Sequence, residues 1–191
     1  SVGTIERIKK VSEIVKNYVK KRYSVIVVCS AMSGSTNELI KKSKKISNNF
    51  SDAEYDVLVS SGEQVSCSLI AGRLVHLGLK SRSWTAWQIP IFTENKHKFS
   101  RINQINKRKL LSYLKSGGVP IVTGFQGVNR NERITTIGRG GSDSTAIMLA
   151  KFFKADKCII FTDVEGIFTT DPNKLKSAKK IKVISLSLIH I

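Results

Sequence analysis

The chain has 191 residues, room for one domain with a proper core or for a large piece of a bigger one. Its 41% hydrophobic and 24% charged side chains are ordinary for a soluble globular protein, and no apolar run approaches the roughly 18–20 residues that cross a bilayer. The net charge of +18 admits nucleic acid or an anionic surface as a partner. However, the lysines are scattered (Lys9-Lys10, Lys20-Lys21-Arg22, Lys41-Lys42, Lys44-Lys45, Lys179-Lys180) and do not interleave with aromatics as a base-stacking platform would, so they read as solvated helix faces with no specific nucleic-acid role.

Ile5, Ile8, Val11, Ile14, Val15, Tyr18 and Val19 recur at helical spacing and predict an amphipathic first helix. Ser24 to Cys29 is an apolar, β-branched run, the pattern of a strand covered on both faces in a parallel sheet. It runs into the small, polar stretch Ser30 to Asn37, and a helix opens near Glu38. Residues 52 to 79 read as a long helix stopped at Gly78. A short strand at 82–84 follows, then a loop with Trp87, Gln88 and Pro90; the Asn- and Lys-rich piece from Thr93 to Lys109 reads as a mobile surface loop. Residues 106 to 115 look helical. Val119 to Thr123 is a second buried strand running into Gly124-Phe125-Gln126-Gly127, and 133 to 137 is a short strand or hairpin arm. Gly138-Arg139-Gly140-Gly141-Ser142-Asp143 leads into the apolar helix from Ala146, and Cys158 to Phe161 reads as a third buried strand ending at Thr162-Asp163. Alternating strands and helices predict an α/β fold, a three-layer αβα sandwich with a mainly parallel central sheet.

Cys29, Cys67 and Cys158 form no C-x-x-C pair and read as reduced, buried side chains; His76, His97 and His190 have no metal-ligand spacing, so no protein metal site is expected. The opening Ser1-Val2-Gly3-Thr4 lacks the layout of a signal peptide, and a cytoplasmic enzyme fits best.

The chemistry concentrates where buried strands end. In open α/β sheets ligands bind beyond the carboxyl ends of the strands, so Ser30 to Asn37, Gly124 to Gly127 and Thr162-Asp163 should converge on one crevice. In Gly138 to Asp143, glycines admit an anion to the backbone, the following helix offers unpaired N–H groups, and Arg139 adds a planar fork for a carboxylate or phosphate. A plain capped helix start, with Ser142 or Asp143 as N-cap, is the simpler alternative.

Together these motifs resemble the aspartate kinases of the amino-acid-kinase family. Ser30-Ala31-Met32-Ser33-Gly34-Ser35-Thr36-Asn37 resembles that family's V-S-A-M-x-G-x-T-N turn, and Ser60-Ser61-Gly62-Glu63-Gln64-Val65-Ser66 its S-x-G-E-x-x-S helix segment. Gly124 to Gly127, Ile137 to Asp143, and Thr162-Asp163-Val164-Glu165-Gly166-Ile167-Phe168-Thr169-Thr170-Asp171-Pro172 follow in the family's order. The resemblance implies ATP-dependent phosphorylation of the β-carboxylate of L-aspartate, with Mg²⁺, opening the pathway to lysine, threonine and methionine. It implies Glu63 on the substrate ammonium, Arg139 on the α-carboxylate, and Asp143 orienting the reacting groups. Ser30, Thr36 and Phe125 would line the aspartate site. Ser1, Thr162, Asp163, Phe168, Asp171 and Pro172 would contact ATP. The chain departs from the pattern at Phe168 (often Tyr), Asn173 (often Arg) and Ala86 (glycine in T-G-W-Q).

The resemblance covers residues 1–185, read as a partial catalytic domain, with 186–191 as an unmatched tail. The family's phosphate-contacting lysine and paired glycines would precede Ser1, so these residues alone are expected to be a poor kinase. A homo-oligomer is expected of the complete protein, with no membrane partner. Competing readings are a glutamate, carbamate or uridylate kinase, a basic nucleic-acid-binding module, and a non-catalytic remnant.

Overall fold

In the computed structural model, residues 2–138 and 140–161 are described. Helix α1, Ile5–Lys20, starts at Thr4, whose hydroxyl accepts the Arg7 N–H, and buries Ile8, Ser12 and Val15 while its lysines face water. Strand β1 is Val27–Cys29, and α2 is Ser35–Ile46. Helix α3, Asp52–His76, is 25 residues long and ends where Gly78 takes φ +82°, a left-handed turn that favours glycine. There follow β2 (Ser81–Trp84), β3 (Ile91–Thr93), β4 (Ile102–Ile105), α4 (Arg108–Lys115), β5 (Val119–Thr123), β6 (Gln126–Val128), β7 (Ile134–Thr136) and α5 (Gly141–Phe153).

Strands β1, β5 and β2 form a parallel sheet in that order, with Val27 opposite Ile121 and Ser83 also opposite Ile121. Every residue of β5 is buried, as expected of a central strand covered on both faces. Val119 and Ile121 pack with α1 and α3 through Ile8, Val15, Ile70 and Leu74. Val122 packs on the other side with Leu110 of α4 and Met148 and Leu149 of α5. Helices therefore cover both faces of the sheet, the three-layer arrangement expected. Ile70 and Leu74 are fully buried, and truncating either to Ala should cost about 2–5 kcal/mol.

A second sheet, ordered β4-β3-β6-β7, is antiparallel except between β3 and β6. The chain passes from the first sheet to the second at Gly124-Phe125, where Phe125 adopts φ +65°. The β6–β7 pairing makes 133–137 a hairpin arm.

Several expectations need correction. The first strand spans only Val27–Cys29, because only these residues find ladder partners on β5. The stretch from Thr93 to Lys109 is not a loose loop: it includes β4 and the start of α4, and Ser100 is 1% exposed. Its polar composition reflects hydrogen bonding to neighbouring segments. Cys158 to Phe161 is not a buried strand: Ile159, Ile160 and Phe161 are 44%, 37% and 48% exposed, and the segment is irregular. Apolar content favours a strand, but pairing makes one. Cys158 is correspondingly exposed, whereas Cys29 and Cys67 are buried as expected. The hydrogen bond with Cys29, together with burial, holds the Cys67 thiol well above its ordinary pKa.

Candidate active site

A pocket of about 210 Å³ is lined by Ser30, Thr36, Glu63, Phe125, Gly138, Gly140, Gly141, Ser142 and Asp143. It lies beyond the carboxyl ends of β1 and β5, where the sequence places two of its three polar turns. The third, Thr162-Asp163, lies outside the described residues, as do Ser1, Arg139, Phe168, Asp171, Pro172 and the tail 186–191. Among the described residues, all five expected aspartate-site positions (Ser30, Thr36, Glu63, Phe125 and Asp143) meet in this pocket.

The inward polar face of α3 brings Glu63 to the pocket and anchors the segments around it. Asp56, Ser60, Glu63 and Ser66 recur at helical spacing and are buried. Thr136 donates to Asp56 Oδ1 at 2.6 Å, and the Gln126 side-chain amide donates to the Ser60 carbonyl at 2.9 Å. The Ala31 N–H donates to Glu63 Oε1 at 3.1 Å, and the Ser66 hydroxyl donates to the Ser30 carbonyl at 2.5 Å. One helix face thus holds the turn at 30–31, the start of β6 and the end of β7. Close approach between turn and helix needs Gly62, where an added Cβ would lie 2.9 Å from the Ala31 Cβ.

Glu63 is 3% exposed, and its Oε2 has no hydrogen-bond partner among the described residues. Burial pushes its carboxyl up to about 7, and the Ala31 N–H only partly offsets this. A buried acceptor with an open valence beside a pocket calls for a cationic or donating group. Asp143 stands at the open side, and the protein displacing its water holds its carboxyl above the usual range.

The opposite wall is the start of α5. Its N-cap is Gly140 at φ +70° with no side-chain cap, so neither Ser142 nor Asp143 caps the helix. The first-turn N–H groups therefore have no side-chain acceptor from the cap, and they are well suited to an anion. Gly141 is required by packing as well, since an added Cβ would lie 2.8 Å from the Phe125 ring. Phe125 is fixed in turn, its N–H donating to the Thr145 hydroxyl at 3.2 Å.

Sequence reasoning missed Ala31, Asp56, Ser66 and Ser142. The available signal was positional: Asp56 and Ser66 sit on the same face of α3 as Glu63, at spacings that bury polar groups together. Among the described residues no cluster of three or more His, Cys, Asp or Glu could hold a metal ion, and no helix is long and apolar enough to cross a membrane.

A glycine-lined helix start and a polar helix face around one pocket, beside a parallel sheet covered on both faces, define an αβα protein with its pocket at the strand ends. The sequence pattern of the amino acid kinase family matches residues 1–190, and the chain belongs to that family. It is 50% identical to the aspartokinase of Rickettsia conorii over 187 residues, 96% of this chain and 47% of that protein. It is likewise 50% identical to the aspartokinase of Geobacillus stearothermophilus, over 97% of this chain and 46% of that protein. Among solved structures, aspartate kinase from Synechocystis superposes with a TM-score of 0.75 at 42% identity, covering 94% of this chain and 29% of that one. E. coli aspartokinase III in complex with aspartate and ADP gives 0.80 at 26% identity, covering 95% and 51%. The chain spans about half the length of the curated relatives it matches.

Proposed function

We propose that this chain is the amino-acid-binding and phosphoryl-transfer part of an aspartate kinase, converting L-aspartate and ATP to 4-phospho-L-aspartate and ADP. The observation that carries the reading is the buried, half-partnered carboxylate of Glu63 in a pocket whose far wall is a glycine-lined helix start. An α-amino acid complements that arrangement, with its ammonium on Glu63 and its carboxylate toward the loop at 138–141. The E. coli relative, whose structure holds aspartate and ADP, supports the choice of amino acid and nucleotide.

The β-carboxylate of aspartate has an ordinary pKa near 3.9, so it arrives ionised and needs no general base. One of its oxygens bonds to the γ-phosphorus as the bond to the β,γ-bridging oxygen breaks, and ADP leaves with that electron pair. The work of the protein is to bring an anion to a polyanion in line and to stabilise charge on the transferring oxygens. Glu63 fixes the amino acid by its ammonium. Ser30 and Thr36 offer hydroxyl donors, Arg139 clamps the α-carboxylate, and Asp143 orients the reacting groups. Ser1, Thr162, Asp163, Phe168, Asp171 and Pro172 contact ATP. Mg²⁺ bound with the nucleotide would supply charge neutralisation at the phosphates; among the described residues Asp143 is the pocket carboxylate placed to approach it.

We further propose that the complete protein is a cytoplasmic homo-oligomer at the head of the pathway to lysine, threonine and methionine. Aspartate-dependent ADP release by the complete gene product, with glutamate as the competing substrate, tests the reading. Release with glutamate and not with aspartate would overturn it.

A further inference from the structure

Asp56 is buried with 0% exposure, seven residues before Glu63 on α3, and the mechanism above makes no use of it. Its two oxygens gather two other chain segments, the end of β7 and residues 97–98. Oδ1 accepts the Thr136 hydroxyl of β7 at 2.6 Å, and Oδ2 lies 2.8 Å from His97 Nδ1. A carboxylate can only accept, so the proton of that contact sits on Nδ1. The Lys98 N–H donates to both oxygens, at 3.2 and 3.0 Å. The Lys98 ammonium adds an ion pair to Asp52 at 2.5 Å, one turn earlier on α3.

The segment held this way leads straight to the pocket wall. The Ser100 N–H donates to the Thr136 carbonyl at 2.9 Å, and a Cβ on Gly138 would lie 2.7 Å from the Phe99 ring. Gly138, two residues beyond Thr136, lines the pocket and accepts the Gly141 N–H at 3.0 Å. A buried carboxylate with several donors from other segments fixes their relative positions, because losing any donor leaves charge unsatisfied.

We propose that Asp56, with His97 and Thr136, is a positioning cluster that sets Gly138 and the Gly140-Gly141 helix start at the distance from Glu63 that an α-amino acid spans. The proposal rests on the reading of the pocket as an aspartate site. It assigns the cluster to amino-acid binding and not to nucleotide binding.

The test uses the complete gene product and the variants Asp56→Asn, Thr136→Val, Thr136→Ser and His97→Leu. Thr93→Val serves as control, removing the buried hydroxyl contact between Thr93 and Thr135 in the same sheet. Steady-state kinetics are read together with hydrogen exchange at the Ile137 and Gly141 amides. Asp56→Asn and Thr136→Val should raise the aspartate KM about tenfold and speed exchange at both amides about tenfold, with the ATP KM within about twofold. Thr136→Ser keeps the donor and should restore both values. Thr93→Val should lower Tm without moving either. If Asp56→Asn does not fold, Thr136→Val and His97→Leu decide, each removing a single donor. An unchanged aspartate KM in folded variants, or equal rises for aspartate and ATP, overturns the proposal. If the unsubstituted protein turns over no aspartate, the reading of the site fails, and exchange alone decides whether the cluster holds the loop.

Discussion

Glu63 Oε1 accepts the Ala31 N–H at 3.1 Å while Oε2 has no partner among the described residues, so one carboxylate both fixes the turn after β1 and leaves an open acceptor at the pocket. If that open oxygen holds the substrate ammonium, Glu63→Gln should lower kcat/KM for aspartate by about 10–1000-fold, since a charge-assisted contact is worth about 1.5–3 kcal/mol and more when buried. The ATP KM should barely move. Kinetics of the complete gene product with each substrate varied in turn check this.

The same carboxyl predicts a pH dependence. Burial raises it from 4.5 to about 7 in the folded protein, and the unfolded chain ionises near 4.5. Between those values the folded state holds a proton that the unfolded state has lost. The contribution of this carboxyl to stability is therefore fully present below pH 4.5 and is lost as pH rises through about 7, by on the order of 3 kcal/mol. Urea unfolding at pH 5 and pH 8 should show Glu63→Gln gaining on the parent protein at the higher pH. Aspartate binding, which requires the ionised form, should tighten across the same range and release a proton, measurable by calorimetry in buffers of different ionisation enthalpy.

Gly124 joins β5 to the pocket. An added Cβ there would lie 2.8 Å from the Ser142 Cα, a backbone atom that cannot turn aside. Gly124→Ala should push the start of α5 away from the sheet, costing about 1–3 kcal/mol of stability. It should also lower kcat/KM for aspartate by at least about tenfold, as misplacing a binding wall does. Thermal unfolding and kinetics on one preparation would separate the two effects.

The +18 charge carries its own expectation. Scattered surface lysines should give only weak, sequence-indifferent DNA binding that falls steeply with added salt. Band shifts at physiological and raised salt would check it; nanomolar affinity that survives the salt would mark a nucleic-acid function.

The parallel sheet and α3 were legible in the sequence because local signals and packing agree there. Val119 to Val122 is apolar and the strand lies buried on both faces, and Gly78 stops the helix where its left-handed turn is needed. The pocket residues were legible through short motifs: Ser30, Thr36, Glu63, Phe125 and Asp143 come from separate segments, and the fold unites them. The second sheet was less legible. Its strands are only three or four residues long, and Ile102–Ile105 buries only its two end isoleucines, too few for a clear alternation. Asp56 looks like an ordinary helix acid until His97, Lys98 and Thr136 arrive from distant parts of the chain. Cys158 to Phe161 has the composition of a strand, and only its exposure and irregular backbone in the fold reveal otherwise.

The central claim is that this pocket binds aspartate for phosphoryl transfer, and a coupled ADP-release assay on the complete gene product tests it most directly. With MgATP and aspartate the account predicts turnover that saturates in aspartate, is far slower with glutamate, and drops about 10–1000-fold in kcat/KM in Glu63→Gln. Full turnover of aspartate by Glu63→Gln, or ADP release indifferent to aspartate in the parent protein, would contradict it.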